Sequence, residues 1–274
     1  MKGLDAFAVA KIDDVAGWPR FRSPATTTQM TSVFVGISRA FAVGFFCLLA
    51  LAEISVRIPF VARTGRLHAR TAWLQRWSRF ACRVLGIRIS TCGSMPSAGL
   101  LVSNHLSYLD VIVLSSIGPC VFVAKGDIAA WPLFGWLARA AGTIFVDRQR
   151  RFGSAAVVDL VREAIAGGSL VVLFPEGTSS DGSTVLPFKS SLLESAVQLR
   201  CPVAVAAIKY ALDDGSVADE VCYWGDMRLL PHLLNVFFKR AIHAKCSFSL
   251  PKIRGGNRKE IARALRDEVM SMRP

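Results

Sequence analysis

From Gly99 onward the chain alternates short apolar runs with helix-length segments, and this alternation leaves little choice of fold. Residues 100–103, 121–124, 143–146, 170–174 and 203–208 are rich in Val, Leu, Ile and Phe. They are too short for buried helices and read as strands covered on both faces. Helices fit between them at about 108–116, 131–140, 155–166 and 192–199. Strand and helix in this order predict an α/β fold, with a largely parallel sheet flanked by helices. Residues 221–224 and 241–248 are expected to add edge strands. The chain closes on a helix over 257–272, where Asn257 and Glu260 form a start box ahead of Ile261, Leu265 and Val269.

The segment before the sheet has a different character. Residues 40–52 carry no charge, with Arg39 before them and Glu53 and Arg57 after. That is shorter than the ~20 residues a spanning helix needs, and reaching that length takes in Arg39. A shallow helix lying in one leaflet is the expectation. A second helix over 68–85 follows, with Trp73, Trp77, Phe80, Ala81 and Val84 on one stripe and a basic other face. Its tryptophans are expected at the membrane interface, though a core-packing helix has the same pattern. The whole chain carries a net charge of +13, and between Arg57 and Arg88 there are basic residues and no acidic ones. Such a block beside an apolar helix fits an anionic membrane surface on the cytoplasmic face of the inner membrane. No nucleic-acid-binding module accompanies it. Residues 1–30 lack periodicity and are read as a disordered tail, 31–90 as a membrane-associated two-helix motif and 91–274 as the main domain. The Ala50-Leu51-Ala52 tripeptide has the form of a signal-cleavage site, but the long tail ahead of it, with Asp5, Asp13 and Asp14, does not suit a signal peptide. Seven unclustered cysteines argue for free thiols, with no metal site and no cofactor.

Functional groups in such sheets collect at the carboxyl ends of strands. The first polar cluster is Ser103-Asn104-His105-Leu106-Ser107-Tyr108-Leu109-Asp110. A loop histidine and an aspartate five residues on, in the next helix, can meet so that the carboxylate fixes the imidazole tautomer, making His105 a candidate general base. Taken alone, the spacing also suits a structural pair. The second cluster, Phe174-Pro175-Glu176-Gly177-Thr178-Ser179-Ser180, places a glycine where unusual backbone angles would aim the following amides at an oxyanion, or would simply make a turn. Lys125 leaves the second strand and Arg148 the third, with Arg150 and Arg151 close behind; together these make a basic pocket for phosphate or carboxylate. With no G-x-S-x-G nucleophile motif, direct attack by the acceptor is expected rather than a covalent acyl-enzyme. His68, His232 and His243 lack a partner pattern and are read as surface or packing residues.

In order along the chain, Asn104-His105-x4-Asp110, Phe122-Val123-Ala124-Lys125, Pro132-Leu133-Phe134-Gly135, Gly142–Arg148, Phe174-Pro175-Glu176-Gly177-Thr178, Pro187-Phe188-Lys189 and Cys201-Pro202-Val203 resemble the blocks of the glycerolipid acyltransferase family. The resemblance implies a membrane-bound O-acyltransferase that moves a fatty acyl group from an acyl-ACP or acyl-CoA thioester to the free hydroxyl of a lysolipid. It also implies a catalytic His105–Asp110 dyad, and acceptor binding by Lys125, Arg148, Glu176, Gly177 and Thr178. Lysophosphatidic acid is the acceptor implied first. Phosphatidate-forming members usually carry Arg where this chain has Ser179, and the Glu-Gly-Thr-Ser-Ser-Asp-Gly form is similar to acyltransferases that complete ornithine lipids. Lyso-ornithine lipid is therefore the alternative acceptor. An inactive lipid-binding protein on the same fold is the non-enzymatic alternative, and retention of His105, Asp110 and Glu176 argues against it.

Overall fold

The computed structural model describes residues 29–146 and 155–273. Along the chain come α1 (Gln29–Arg57), α2 (Arg66–Leu85), β1 (Ile87–Cys92), β2 (Gly99–Ser103), α3 (Leu109–Ile117), β3 (Val121–Lys125), α4 (Phe134–Ala140) and β4 (Ile144–Val146). There follow α5 (Ala155–Ala166), β5 (Leu170–Leu173), α6 (Glu194–Leu199), β6 (Val203–Leu212), α7 (Val217–Glu220), α8 (Leu229–Phe238), β7 (Ile242–Phe248) and α9 (Arg258–Met272). The seven strands order as β1-β7-β6-β2-β5-β3-β4. All neighbours are parallel except β6 and β7.

The central strands explain themselves. Leu100, Leu101 and Val102 on β2, and Leu170, Val171 and Val172 on β5, are fully buried. Alternate residues feed two apolar layers: Leu101 and Val172 face the α3 and α8 side, while Leu100 and Val171 face the α5 and α9 side. Each such side chain stabilises the fold by ~1.5–3 kcal/mol through burial, which commits this stretch to the sheet centre. The start box of α9 forms as expected: Asn257 accepts from the Lys259 and Glu260 amides, and the Glu260 carboxylate accepts from the Asn257 amide.

Three expectations are corrected. Residues 221–224 are not a strand but a loop, with Val221 and Cys222 buried beneath it. β7 is not at an edge, because β1 covers it. β1 escapes sequence reading because its residues are half polar and mostly exposed, as an edge strand permits; it also straddles the 90/91 boundary between the two-helix motif and the main domain. The α2 tryptophans do not reach outward: Trp73 is buried and donates from Nε1 to the Ala50 carbonyl at 3.1 Å, and Trp77 donates to Glu53 at 2.9 Å. Both bind α1, since an indole N–H taken from water needs an acceptor. The tail assigned to 1–30 lies outside the described residues except for Gln29 and Met30, which begin α1.

Arg39, the charge that interrupts the apolar run, is absorbed by the fold. It donates to the carbonyls of Phe237, at 3.3 Å, and Lys239, at the carboxyl end of α8. Arg79 does the same for α3, donating to Ser116 O at 2.8 Å. A guanidinium at a helix carboxyl terminus satisfies orphan carbonyls and meets the negative end of the helix dipole. With Arg39 so placed, Phe34–Phe60 is a helical stretch long and apolar enough to cross a membrane.

Candidate active site

Parallel pairing of β2 with β5, and of β5 with β3, brings their carboxyl ends to one edge of the sheet. The loop after β2, the loop after β5 and Lys125 at the end of β3 therefore converge. Asn104 anchors the first loop: its side chain donates to Ile208 O at 2.9 Å and accepts from Ile208 N at 2.8 Å, imitating one more ladder step on β6. Being fully buried, this amide would cost ~1–3 kcal/mol if left unpaired.

His105 and Asp110 meet as expected, with Nδ1 2.7 Å from Asp110 Oδ2. A carboxylate only accepts, so Nδ1 carries the proton and Nε2 keeps its lone pair. Nε2 has no partner among the described residues. The same Oδ2 accepts from the amides of Leu106 (2.7 Å) and Ser107 (3.1 Å), and Oδ1 accepts from the Tyr210 hydroxyl at 2.7 Å. Asp110 is wholly buried, and four donors satisfy its two oxygens. Tyr210 is also buried, which pushes its hydroxyl well above the usual tyrosine range, with the Asp110 charge adding to the effect. It therefore stays a donor. The imidazole stacks on Phe174 at 4.2 Å and 18°, and Phe174 rests in turn on Phe122.

The second loop grips the first. Glu176 accepts from the His105 amide at 2.7 Å through Oε1 and from the Leu186 amide at 3.0 Å through Oε2. Ser180 N–H donates to His105 O at 3.0 Å. The His105 backbone is thus held on both sides by residues of the Glu-Gly-Thr-Ser-Ser turn. Burial raises the Glu176 carboxyl above its usual range, partly offset by the two amides. Gly177 adopts φ +66, and a side chain there would press on Lys189, whose Nζ stands 3.0 Å from a hypothetical Cβ. The Gly177 amide is used by Phe174 O and that of Ser180 by His105 O. The amides of Thr178 and Ser179 have no partner among the described residues, and Thr178 is exposed.

Lys125 and Lys189 are exposed and make no ion pair among the described residues. Lys189 belongs to the Pro187-Phe188-Lys189 block, and its side chain lies against Gly177. Arg148, with Arg150 and Arg151, lies outside the described residues. Ser179 donates through its hydroxyl to Tyr223 O, and Tyr223 N–H donates to Leu106 O at 2.8 Å, so the 221–224 loop ties both site loops together. His232 also joins the site. Its Nε2 lies 2.9 Å from Cys222 O, a pure acceptor, so Nε2 carries the hydrogen and Nδ1 accepts from Tyr108 OH at 3.0 Å. Burial lowers the His232 imidazole below its usual range, which favours this neutral form. No local pattern announces this contact, since 124 positions separate the two residues.

The family model described as Acyltransferase matches residues 88–209. The lyso-ornithine lipid O-acyltransferase of Rhizobium meliloti (strain 1021) is 37% identical over 217 residues, covering 73% of this chain and 74% of that protein. The 1-acyl-sn-glycerol-3-phosphate acyltransferase of Neisseria gonorrhoeae is 35% identical over 120 residues, covering 44% of this chain and 47% of that protein. The crystal structure of the 1-acyl-sn-glycerophosphate (LPA) acyltransferase PlsC from Thermotoga maritima superposes with a TM-score of 0.63 at 18% identity, over 88% of this chain and 94% of that one. At that identity the likeness speaks for the fold.

Proposed function

Because the chain belongs to the acyltransferase family, we propose that it carries a fatty acyl group from a thioester to the free hydroxyl of a lyso-ornithine lipid. The observation that carries the choice of acceptor is the reach of the likeness. The match to a lyso-ornithine lipid enzyme covers 73% of the chain, whereas a similar identity to a glycerol-phosphate enzyme covers 44%. Ser179 supports it: where a phosphate acceptor calls for a cation, this chain has a hydroxyl occupied by Tyr223 O. Lys125 and Lys189 remain to hold the ornithine carboxylate, with Arg148 in the same role. Lysophosphatidic acid is the second reading, because the same lysines suit a phosphate.

His105 Nε2 takes the proton of the acceptor hydroxyl as its oxygen attacks the thioester carbonyl carbon. Asp110 holds the imidazole orientation and steadies the imidazolium that forms. Developing charge on the carbonyl oxygen is met by the free amides of Thr178 and Ser179. Collapse of the tetrahedral intermediate breaks the C–S bond, and the departing thiolate recovers the proton from His105. The acyl donor is an acyl-ACP or acyl-CoA.

Membrane placement follows from how α1 packs. Contacts with the domain run along it from Gly36, against Phe238, through Phe46, 4.2 Å from Phe80, to Glu53 and Trp77. Those residues cover ~27 Å at 1.5 Å rise per residue. A helix standing upright across a ~30 Å hydrocarbon layer would drag α2 and its arginines in with it. This packing supports an α1 lying in the plane of one leaflet, with Phe34, Phe41, Phe45 and Leu48 outward, and the basic run from Arg57 to Arg88 supports the cytoplasmic leaflet.

The test is acyl transfer by membranes carrying the protein, using a labelled acyl thioester with either lyso-ornithine lipid or lysophosphatidic acid, and His105→Ala as control. His105-dependent product from lyso-ornithine lipid in large excess over phosphatidic acid is expected. The reverse preference would overturn the acceptor assignment, and Ser179→Arg should move the ratio toward lysophosphatidic acid.

A further inference from the structure

α8 has an apolar side that the protein interior does not use. His232 and Val236 are buried, while Leu230, Leu234 and Phe238, four residues apart, are 67%, 42% and 41% exposed on the opposite side. This stripe is not isolated. α8 packs on α1, with the Phe238 ring against Gly36, where a side chain would collide, and with Arg39 bonded to its last carbonyls. Around that contact α1 exposes Phe34, Ile37 and Phe41. The two exposed apolar faces meet at Phe238, and exposed Arg228 and Arg240 stand at the two ends of α8.

We infer that α8 is a second membrane-contacting element, whose Leu230, Leu234 and Phe238 enter the same leaflet as the outer face of α1. This rests on the in-plane reading of α1. Continuity with the α1 face identifies the occupant as lipid, and the flanking arginines suit anionic headgroups. The arrangement has a consequence for the reaction. The buried side of the same helix carries His232, bonded to Tyr108, three positions from His105. A lysolipid leaving the leaflet along α8 arrives beside the catalytic turn.

The full chain is bound to vesicles of phosphatidylglycerol and phosphatidylethanolamine doped with a phospholipid bearing a diazirine on its acyl chain, then irradiated and mapped by mass spectrometry. Adducts on both α1 and α8 are expected. Adducts on α1 with none over 229–238 would overturn the inference and leave the in-plane helix intact; adducts on neither would remove both. Vesicle partitioning gives the second arm. Leu230→Gln with Leu234→Gln removes roughly one fully exposed leucine's worth of apolar surface, so the partition coefficient should fall by about tenfold. Unchanged partitioning of this variant, with Phe41→Gln plus Phe45→Gln still weakening it, would also overturn the inference.

Discussion

The two halves of the active site are built on opposite plans. Around His105 and Asp110 the carboxylate and the backbone are tied down: Asp110 takes four donors, and the His105 backbone is held at both its amide and its carbonyl, while the buried hydroxyls of Ser103 and Ser107 stay unpaired among the described residues. Around the proposed headgroup site, Lys125, Lys189 and Thr178 are exposed, and the Thr178 and Ser179 amides are unpaired among the described residues. In the proposed reaction the first half acts on any hydroxyl acceptor, so it gains from rigidity before substrate arrives. In the same proposal the second half exchanges water for a headgroup, and two exposed ammonium groups can meet a phosphate or a carboxylate with little rebuilding.

The contrast can be broken from the locked side first. His105→Ala should lower kcat by about 10³–10⁴-fold, and Asp110→Asn by about 10²-fold or more, with little change in KM for the acceptor; labelled-acyl transfer reads both. Tyr210→Phe should cost about tenfold in kcat by removing one hydrogen bond to a buried charge. On the open side, Lys125→Ala and Lys189→Ala should each raise the acceptor KM by only about three- to tenfold, leaving kcat near wild type, because exposed cations are screened. If either lysine variant instead lost kcat as heavily as Asp110→Asn, the division between the halves would fail. The smallest effect concerns Glu176. Its carboxyl is raised in the folded protein, so on raising the pH the unfolded chain gives up its proton first, and the stability this group contributes at low pH declines as pH rises through the folded value. Denaturant titrations should show the stability difference between wild type and Glu176→Gln shrinking across that interval.

Much of this was legible in the sequence, for a local reason. The strands at the sheet centre are buried on both faces, so apolar composition alone marks them, and His105 and Asp110 are five residues apart, within reach across one loop and helix start. α9 announces itself through Asn257 and Glu260 in the same way. The edge strand β1 and the loop over 221–224 gave no such signal: an edge strand can be half polar, and Val221-Cys222-Tyr223-Trp224 is apolar because it covers a core, not because it pairs.

Sequence by itself determined the α/β class, the dyad and the two loops that bear it, since these follow from composition and short spacing. Only the tertiary structure decided that Tyr210 holds Asp110 across 100 positions, that Glu176 turns its carboxylate to the His105 amide, that His232 reaches Tyr108, and that Arg39 caps α8. Each is a side chain satisfying a buried or helix-end partner far away in the chain, and the need for a partner is written in the residue while its identity is set by packing.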